Sequence, residues 1–405
     1  MSFLNKIKTK GIKQIIGATI PYYIQCAFEP IIKNITLKIY KNKPLQDIIV
    51  IESHNDFDSN GGAFYEYLLK EGFNKKYKIV WFLRNKSPSN LPENVIGVRY
   101  NRLSFKRWYY QYTAKYIVCG HLFIECLREG QKSYYTTHGA MALKNTKGKV
   151  TMPEGVTYIL CPSEFLAPIQ ADLTLMHYPN DKQIYVGYPC HDILYGKATG
   201  DLSKITNVKF RKSILWMPTF RKNSENRCDS EGTQPLGIPI LSTLEEFEEL
   251  NDNLRSKDIL LIIKIHPMQD ISTIRITDMS NVVVLDAKKV KKLNVDNYRL
   301  MKDTDALISD YSSSGTDYFH MNKPIAYSLD DKEDYKLGFI VNDPTIFMPG
   351  NKIYTISDLY DFIDDIDKGL DRYRQEREEV FGKFFQYHDG ESCKRLAQHM
   401  GITNY

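Results

Sequence analysis

Short runs of aliphatic and β-branched residues recur along this chain, each closed by a polar turn and followed by a helical interval. That alternation limits the fold strongly. Parallel strands cannot be joined by tight hairpins and need long crossovers, and strands covered on both faces read as unbroken apolar runs. A first set of strands is expected at Asp47–Ser53, Tyr77–Leu83, Ala114–Cys119, Gln131–Thr137, Thr157–Cys161 and Gln183–Gly187. Helices are predicted over Ala63–Lys70 and near Ser104–Tyr112. A polar connection at 196–212 leads into a second set at Lys212–Pro218, Ile259–His266, Asn281–Leu285, Ala306–Ile308 and Pro324–Ser328. Helices are predicted there over Leu244–Arg255, Val295–Lys302 and Ile356–Arg374, with a last helix in the tail from Asp389. The expected fold class is α/β, with two Rossmann-like, doubly wound domains facing across a cleft. Their boundaries read as 45–195 and 205–385, and a C-terminal helix falls within 386–405. A chain of 405 residues is long enough for two such cores.

Residues 1–44 stand apart by charge. Lys6, Lys8, Lys10, Lys13, Lys33, Lys38, Lys41 and Lys43 oppose a single acid, Glu29, and apolar and aromatic residues lie between them. Such a segment is expected either to lie on an anionic membrane surface or to pack as a helical arm on the protein's own surface, and Pro21 and Pro30 are expected to divide it into short helices. No apolar run reaches the roughly 20 residues that span a bilayer, and no secretory signal is recognised. A formal charge of +5 is too mild for a nucleic-acid binder. The seven cysteines form no close C-x-x-C pair, which reads as a reducing compartment without a zinc site or disulfide framework.

Ligands of open α/β sheets bind beyond the carboxyl ends of the strands. In the first set those ends carry His54, His121 and His138-Gly139. In the second they carry Thr219, Arg221, His266-Pro267 and the stretch Ser309–Asp317. His138 is the candidate general base, since an imidazole titrates near neutrality and can take a proton from a hydroxyl. The competing reading is a strand-end histidine bonded to backbone. Lys144 lies six residues on. Lys264 and His266 share one strand face, a costly placement unless they meet a polar ligand or solvent. Arg221 is a candidate phosphate clamp, with an ordinary salt bridge as the alternative. Ser312, Ser313 and Ser314 open a short helix, where hydroxyls and unpaired N–H groups either cradle a phosphate or simply cap the helix. Asp310 and Asp317 would repel a phosphate, so they orient a hydroxyl or nucleotide, or hold the loop. No cluster has metal-ligand spacing and no metal is assigned. Walker, G-x-G-x-x-G and G-x-S-x-G motifs are absent, which weighs against dehydrogenase and kinase readings.

Taken in order, His138-Gly139 with Leu143-Lys144, Pro162-Ser163-Glu164-Phe165, Gly187-Tyr188-Pro189 with Asp192, Pro218-Thr219-Phe220-Arg221, His266-Pro267, Ser309-Asp310-Tyr311-Ser312-Ser313 with Asp317, Lys323-Pro324, Asp334-Tyr335 and Pro349-Gly350 form a set. This set resembles the CDP-glycerol glycerophosphotransferases of teichoic acid and phosphodiester-linked capsule synthesis. The resemblance runs from about residue 50 to 395 and implies a GT-B-type enzyme. It implies His138 as base, His266 on the donor diphosphate, Arg221 and Ser312 to Ser314 supporting phosphate, and Asp317 positioning the donor. It implies no tightly bound cofactor, CDP-glycerol as donor substrate, and a Mg2+ requirement left open. The acceptor would be a lipid-linked or polymeric saccharide, the product CMP, and the location the cytoplasmic face of a bacterial membrane. Two departures stand out. The usual His-Gly-Thr-Pro-Leu-Lys reads His138-Gly-Ala-Met-Ala-Leu-Lys144, and Cys190-His191 replace Arg-Asn after the Gly-Tyr-Pro motif. CDP-ribitol remains an alternative donor. A sugar-nucleotide glycosyltransferase of the same shape and a non-catalytic membrane-tethered binding protein are the rival readings. Oligomeric state is left open.

Overall fold

The computed structural model describes residues 12–221, 228–232 and 234–404. The expectations on Lys6, Lys8 and Lys10 lie outside the described residues. The chain divides into two compact α/β units.

The first unit takes in the chain up to His138, Pro153–Leu160 and the chain from Cys393. Its strands are β1 (Gln46–Glu52), β2 (Lys78–Leu83), β3 (Val95–Arg99), β4 (Ala114–Cys119), β5 (Lys132–Tyr135) and β6 (Tyr158–Leu160), in the order β3-β2-β1-β4-β5-β6. Every pairing along this order is parallel. Ile48 to Ile51 and Ile79 to Leu83 are almost wholly buried, as central strands covered on both faces must be. The register sets Glu52 beside Cys119 and Cys119 beside Tyr135, so β1, β4 and β5 end level with one another. Strand β3 escaped the sequence reading because Gly97 breaks its apolar run. A Cβ at that position would lie 2.3 Å from Ser87 Oγ and 2.6 Å from a Leu83 methyl carbon, so a larger residue would have to displace both side chains.

The first helix, α1, runs unbroken over Ile12–Ile39. This corrects the expected division at Pro21 and Pro30. An interior proline costs about 3 kcal/mol, and packing against α3 (Phe105–Thr113) opposes that cost. Glu29 reaches Arg102 and Arg107, and the Lys33 ammonium lies 5.7 Å from the Trp108 ring centroid. Between β1 and β2 runs α2 (Ser59–Lys70). The last helix, Ser392–Met400, starts three residues later than expected, and His399 Nδ1 lies 3.3 Å from the Tyr134 hydroxyl of β5.

The second unit comprises Gly139–Met152 and Cys161–Ser392. Its membership therefore differs from the expected 205–385: the segment after His138, and the chain from Cys161 on, belong here. Gln183–Ile184 forms the two-residue β7. The main sheet contains β8 (Lys212–Trp216), β9 (Ile259–Lys264), β10 (Val282–Leu285), β11 (Ala306–Ser309), β12 (Ile325–Ser328) and β13 (Asn351–Ile353), all parallel in the order β10-β9-β8-β11-β12-β13. One face is an apolar core built from Ile214, Trp216, Leu261, Ile263, Ala306, Ile308 and Ala326, covered by Phe247, Leu250 and Leu254 of one helix and Leu359, Phe362 and Ile363 of another. The alternate residues Leu260, Ile262 and Lys264 of β9, and Leu307 and Ser309 of β11, point to the opposite face. The helix expected over Ile356–Arg374 is two helices, Ile356–Lys368 and Arg374–Phe384. Gly369, at φ 69°, ends the first in the left-handed conformation that glycine tolerates. The helix expected from Val295 starts at Asn297, because Asp296 caps it by accepting from the Tyr298 and Arg299 N–H groups.

Candidate active site

In the first unit, the level strand ends deliver three histidines together. His54 and His121 each lie two residues past a strand, and His138 lies three past. His54 Nδ1 is 3.0 Å from His121 Nδ1, and His121 Nδ1 is 3.3 Å from His138 Nε2. Burial lowers the pKa of all three. Arg84 lowers each further, and His121 is pushed down to about 4. Asp58 opposes this at His54 and His138. The His138 ring is nonetheless exposed on one side. It is a neutral, reachable imidazole, which a general base needs to be.

The backbone around His138 is held under strain. Thr137 adopts φ 57°, an outlier for a β-branched residue. Asn60, fully buried in the first turn of α2, donates from Nδ2 to the Thr136 and Thr137 carbonyls at 2.9 and 3.3 Å. The loop before α2 is itself contorted, with Asp56, Phe57 and Ser59 all at positive φ. Gly62 allows it, since a Cβ there would lie 2.3 Å from the Phe57 carbonyl oxygen. Buried Glu52 accepts from the N–H groups of Gly120, His121 and Leu122 through Oε2, while its Oε1 has no partner.

In the second unit, the serine turn is a cap first. Ser312 accepts from the Ser314 N–H at 3.4 Å. The Ser314 hydroxyl turns inward to Ser309 at 2.9 Å. The α-helix that follows is only Ser313–Asp317 before it tightens to 3-10 geometry at Tyr318–Met321, so its dipole is small. Ser312 and Ser313 remain partly exposed.

Arg221 differs from the expected phosphate clamp in this structure. It is 3% exposed, and its guanidinium donates to Asp331 at 2.5 and 2.9 Å, to Asp310 at 2.9 Å and to the Thr219 carbonyl at 2.9 Å. Burial alone would lower its pKa, but the two carboxylates hold it well above the ordinary arginine value. Asp310 also accepts from the Thr219 N–H and hydroxyl at 2.7 and 2.5 Å and from the Ser312 N–H at 3.2 Å. Thr219, Arg221 and Asp310 thus brace the base of the serine turn. Asp331 is the partner that sequence reasoning missed, because it lies 110 residues from Arg221.

Asp317 is likewise turned inward. It is 2% exposed, and Oδ1 takes the His191 Nε2 at 2.8 Å and the Ala140 N–H at 3.1 Å, while Oδ2 takes the Tyr298 hydroxyl at 3.1 Å. Both departures from the usual motifs therefore converge on one carboxylate. The Ala140–Lys144 segment is stitched further by Thr316 Oγ1 to the Met141 carbonyl, by the Leu143 N–H to Tyr311, and by a backbone bridge between Lys144 and Phe339.

His266 and Lys264 stand together at the carboxyl end of β9. His266 Nδ1 accepts from the Met268 N–H at 3.0 Å. Lys264 ends β9 on the same sheet face as Ser309 and is 6% exposed, yet it makes no hydrogen bond or ion pair among the described residues. Burial lowers its pKa to about 8, with Asp296 the only opposing charge. A buried ammonium without a partner is costly, and an incoming anion would relieve it.

Two all-parallel sheets thus carry histidines past their strand ends, and the second also carries the buried, partnerless Lys264. The chain belongs to the CDP-Glycerol:Poly(glycerophosphate) glycerophosphotransferase family, whose profile matches residues 36–400. It is 24% identical over 388 residues to the Staphylococcus aureus teichoic acid ribitol-phosphate polymerase TarK, covering 90% of this chain and 70% of that one. It is 24% identical over 418 residues to a Staphylococcus epidermidis teichoic acid poly(glycerol phosphate) polymerase, covering 91% of this chain and 54% of that one. Of S. aureus TarL, another ribitol-phosphate polymerase, it spans only 36%. Among solved structures, the wall teichoic acid polymerase TagF shares the fold, with a TM-score of 0.68 at 19% identity over 95% of this chain and 97% of that one. A TagF variant soaked with CDPG gives 0.69 at the same identity and coverage.

Proposed function

We propose that the protein transfers glycerol phosphate from CDP-glycerol to a hydroxyl of a lipid-linked saccharide or growing polyol-phosphate polymer, releasing CMP. The observation that carries this is the chemical division between the units. The first presents a neutral, exposed histidine at a strained strand end. The second presents the buried, partnerless Lys264 at a strand end, with His266 two residues beyond it. His138 takes the acceptor hydroxyl proton as the oxygen attacks the β-phosphorus. His266 and Lys264 hold the charge that builds on the diphosphate oxygens, and Ser312 and Ser313 add hydroxyl donors. Such chemistry is mainly positioning and electrostatics. Thr219, Arg221, Ser314 and Asp317 act behind these groups by fixing the serine turn and the segment carrying Lys144.

A ribitol donor is the second reading, supported by the likeness to TarK and TarL. Incubation with CDP-glycerol, CDP-ribitol, UDP- and GDP-sugars and a lipid-linked acceptor separates the readings. Release of CMP from a CDP-alditol supports the proposal. Release of UDP or GDP supports a glycosyltransferase, and no turnover with any donor supports a binding protein.

The acceptor is proposed to be reached at a membrane. On α1, Ile24, Phe28, Ile31, Ile35 and Ile39 recur at spacings of three and four, and each is 43–61% exposed, with Tyr22 and Tyr23 beside them. Exposed Lys38, Lys41 and Lys43 add positive charge, while Glu29 is paired. No described helix is long and apolar enough to cross a bilayer. A face of this kind suits an anionic lipid surface, with the protein lying peripherally on its cytoplasmic side.

A further inference from the structure

The three strand-end histidines carry more than a general base. We propose that His121 is a positioning residue that accepts the Nε2–H of His138 through its Nδ1, so that Nδ1 of His138 is the atom that takes the acceptor proton.

The inference begins with lone pairs. A neutral imidazole has one N–H and one lone pair. His138 Nε2 lies 3.3 Å from His121 Nδ1, so one of these two nitrogens carries the hydrogen between them. If His121 donated, the lone pair of His138 would be occupied and the ring could accept nothing from a substrate. If His138 donates, its Nδ1 is left with a lone pair, and Nδ1 has no partner among the described residues. Only the second arrangement leaves a base. His54 Nδ1, 3.0 Å from the same His121 nitrogen, completes the array. With His121 Nδ1 unprotonated, the His54 Nδ1–H and the His138 Nε2–H share its one lone pair as a three-centre bond.

The surroundings keep this arrangement in place. Glu52 gathers the N–H groups of Gly120, His121 and Leu122, which fixes the turn that carries the His121 ring. Asn60 fixes the Thr136 and Thr137 carbonyls ahead of His138. The charges that face the cluster within this unit are Arg84 beyond β2, Asp58 in the loop before α2, and Glu52 at the end of β1. Arg84 is exposed and its guanidinium makes no hydrogen bond or ion pair among the described residues, and Asp58 offsets part of its effect at His54 and His138. Arg84 favours neutral rings, the state the arrangement needs.

In the step itself, the acceptor O–H proton moves to Nδ1 of His138 and the acceptor oxygen bonds the β-phosphorus. The bond from that phosphorus to the bridging oxygen breaks, and CMP leaves with the electron pair. His138 becomes an imidazolium whose Nε2–H still points at the neutral His121 Nδ1, and it returns the extra proton to solvent. This rests on the proposed glycerophosphotransferase reading.

Three measurements on the full chain test it. Nitrogen-15 NMR of histidine-labelled protein should find His138 protonated at Nε2 and bare at Nδ1 at neutral pH, with that preference lost in His121→Phe. His121→Phe should lower kcat roughly tenfold to a hundredfold, less than loss of the base itself, with donor KM unchanged. His121→Asn, whose side-chain oxygen replaces the accepting nitrogen, should recover most of it. Arg84→Gln should move the acid limb of kcat/KM to higher pH, because removal of a cation raises the pKa of His138. A proton on Nδ1 of His138 in the wild type overturns the proposal whatever the rates. So does a His121→Phe enzyme that turns over normally. If the wild type turns over no CDP-alditol at all, the parent reading fails, and the NMR result still decides the tautomer.

Discussion

Replacing Lys264 by methionine should change both stability and donor binding, in opposite directions. The ammonium is nearly buried, has no partner, and its pKa falls from 10.5 to about 8. That drop corresponds to about 3 kcal/mol against the charged form. Between about pH 8 and 10.5 the unfolded chain binds more protons than the folded one, so stability rises with pH across that window. Below about pH 8 the full penalty is present. Lys264→Met removes it, and should raise the unfolding free energy at pH 7 by up to about 3 kcal/mol, read as a higher denaturant midpoint at unchanged slope. An anionic diphosphate reverses the balance by restoring the ordinary lysine pKa. At pH 8.5 only about a quarter of the free amines are charged, so binding should take up on the order of 0.7 proton. Calorimetry of CDP-glycerol in buffers of different ionisation enthalpy measures this number directly. Wild-type protein should show the uptake, and Lys264→Met should show none and bind more weakly. Donor binding without proton uptake in the wild type would refute the reasoning, because the lysine would then not meet the diphosphate.

His138→Ala should reduce turnover at least roughly a hundredfold with donor affinity retained, measured as CMP release beside donor calorimetry. His266→Ala should weaken donor binding as well as turnover, and unchanged binding would remove it from the diphosphate. Arg221→Met should cost about 3–5 kcal/mol in chemical denaturation, since it strands Asp310 and Asp331 as buried, unpaired carboxylates. Removing residues 1–25, together with Phe28→Ser and Ile31→Ser, should abolish co-sedimentation with anionic liposomes while leaving CMP release from a soluble acceptor intact. Sedimentation equal to that of the unaltered chain would exclude α1 as the membrane contact.

The fold class was legible because it rests on local pattern. Ile48–Ile51 and Ile259–Ile263 are unbroken apolar runs, and only a parallel sheet covered on both faces buries such runs. His138 and His266 were legible for a related reason: each follows the last apolar residue of a strand, where open α/β sheets bind ligands. What each side chain does there was not legible, because partners come from distant parts of the chain. Arg221 reads as a phosphate clamp until Asp331, 110 positions away, is found to hold it. Asp317 reads as a donor contact until His191, 126 positions earlier, fills its oxygen. Lys264 reads as a costly placement that needs a polar ligand or solvent, and the tertiary structure buries it with no partner among the described residues. A sequence sets which elements form and in what rhythm, since propensity and periodicity are short-ranged. Which charges are paired, and which are left waiting for a ligand, depends on the register between strands, and only the tertiary structure decides that.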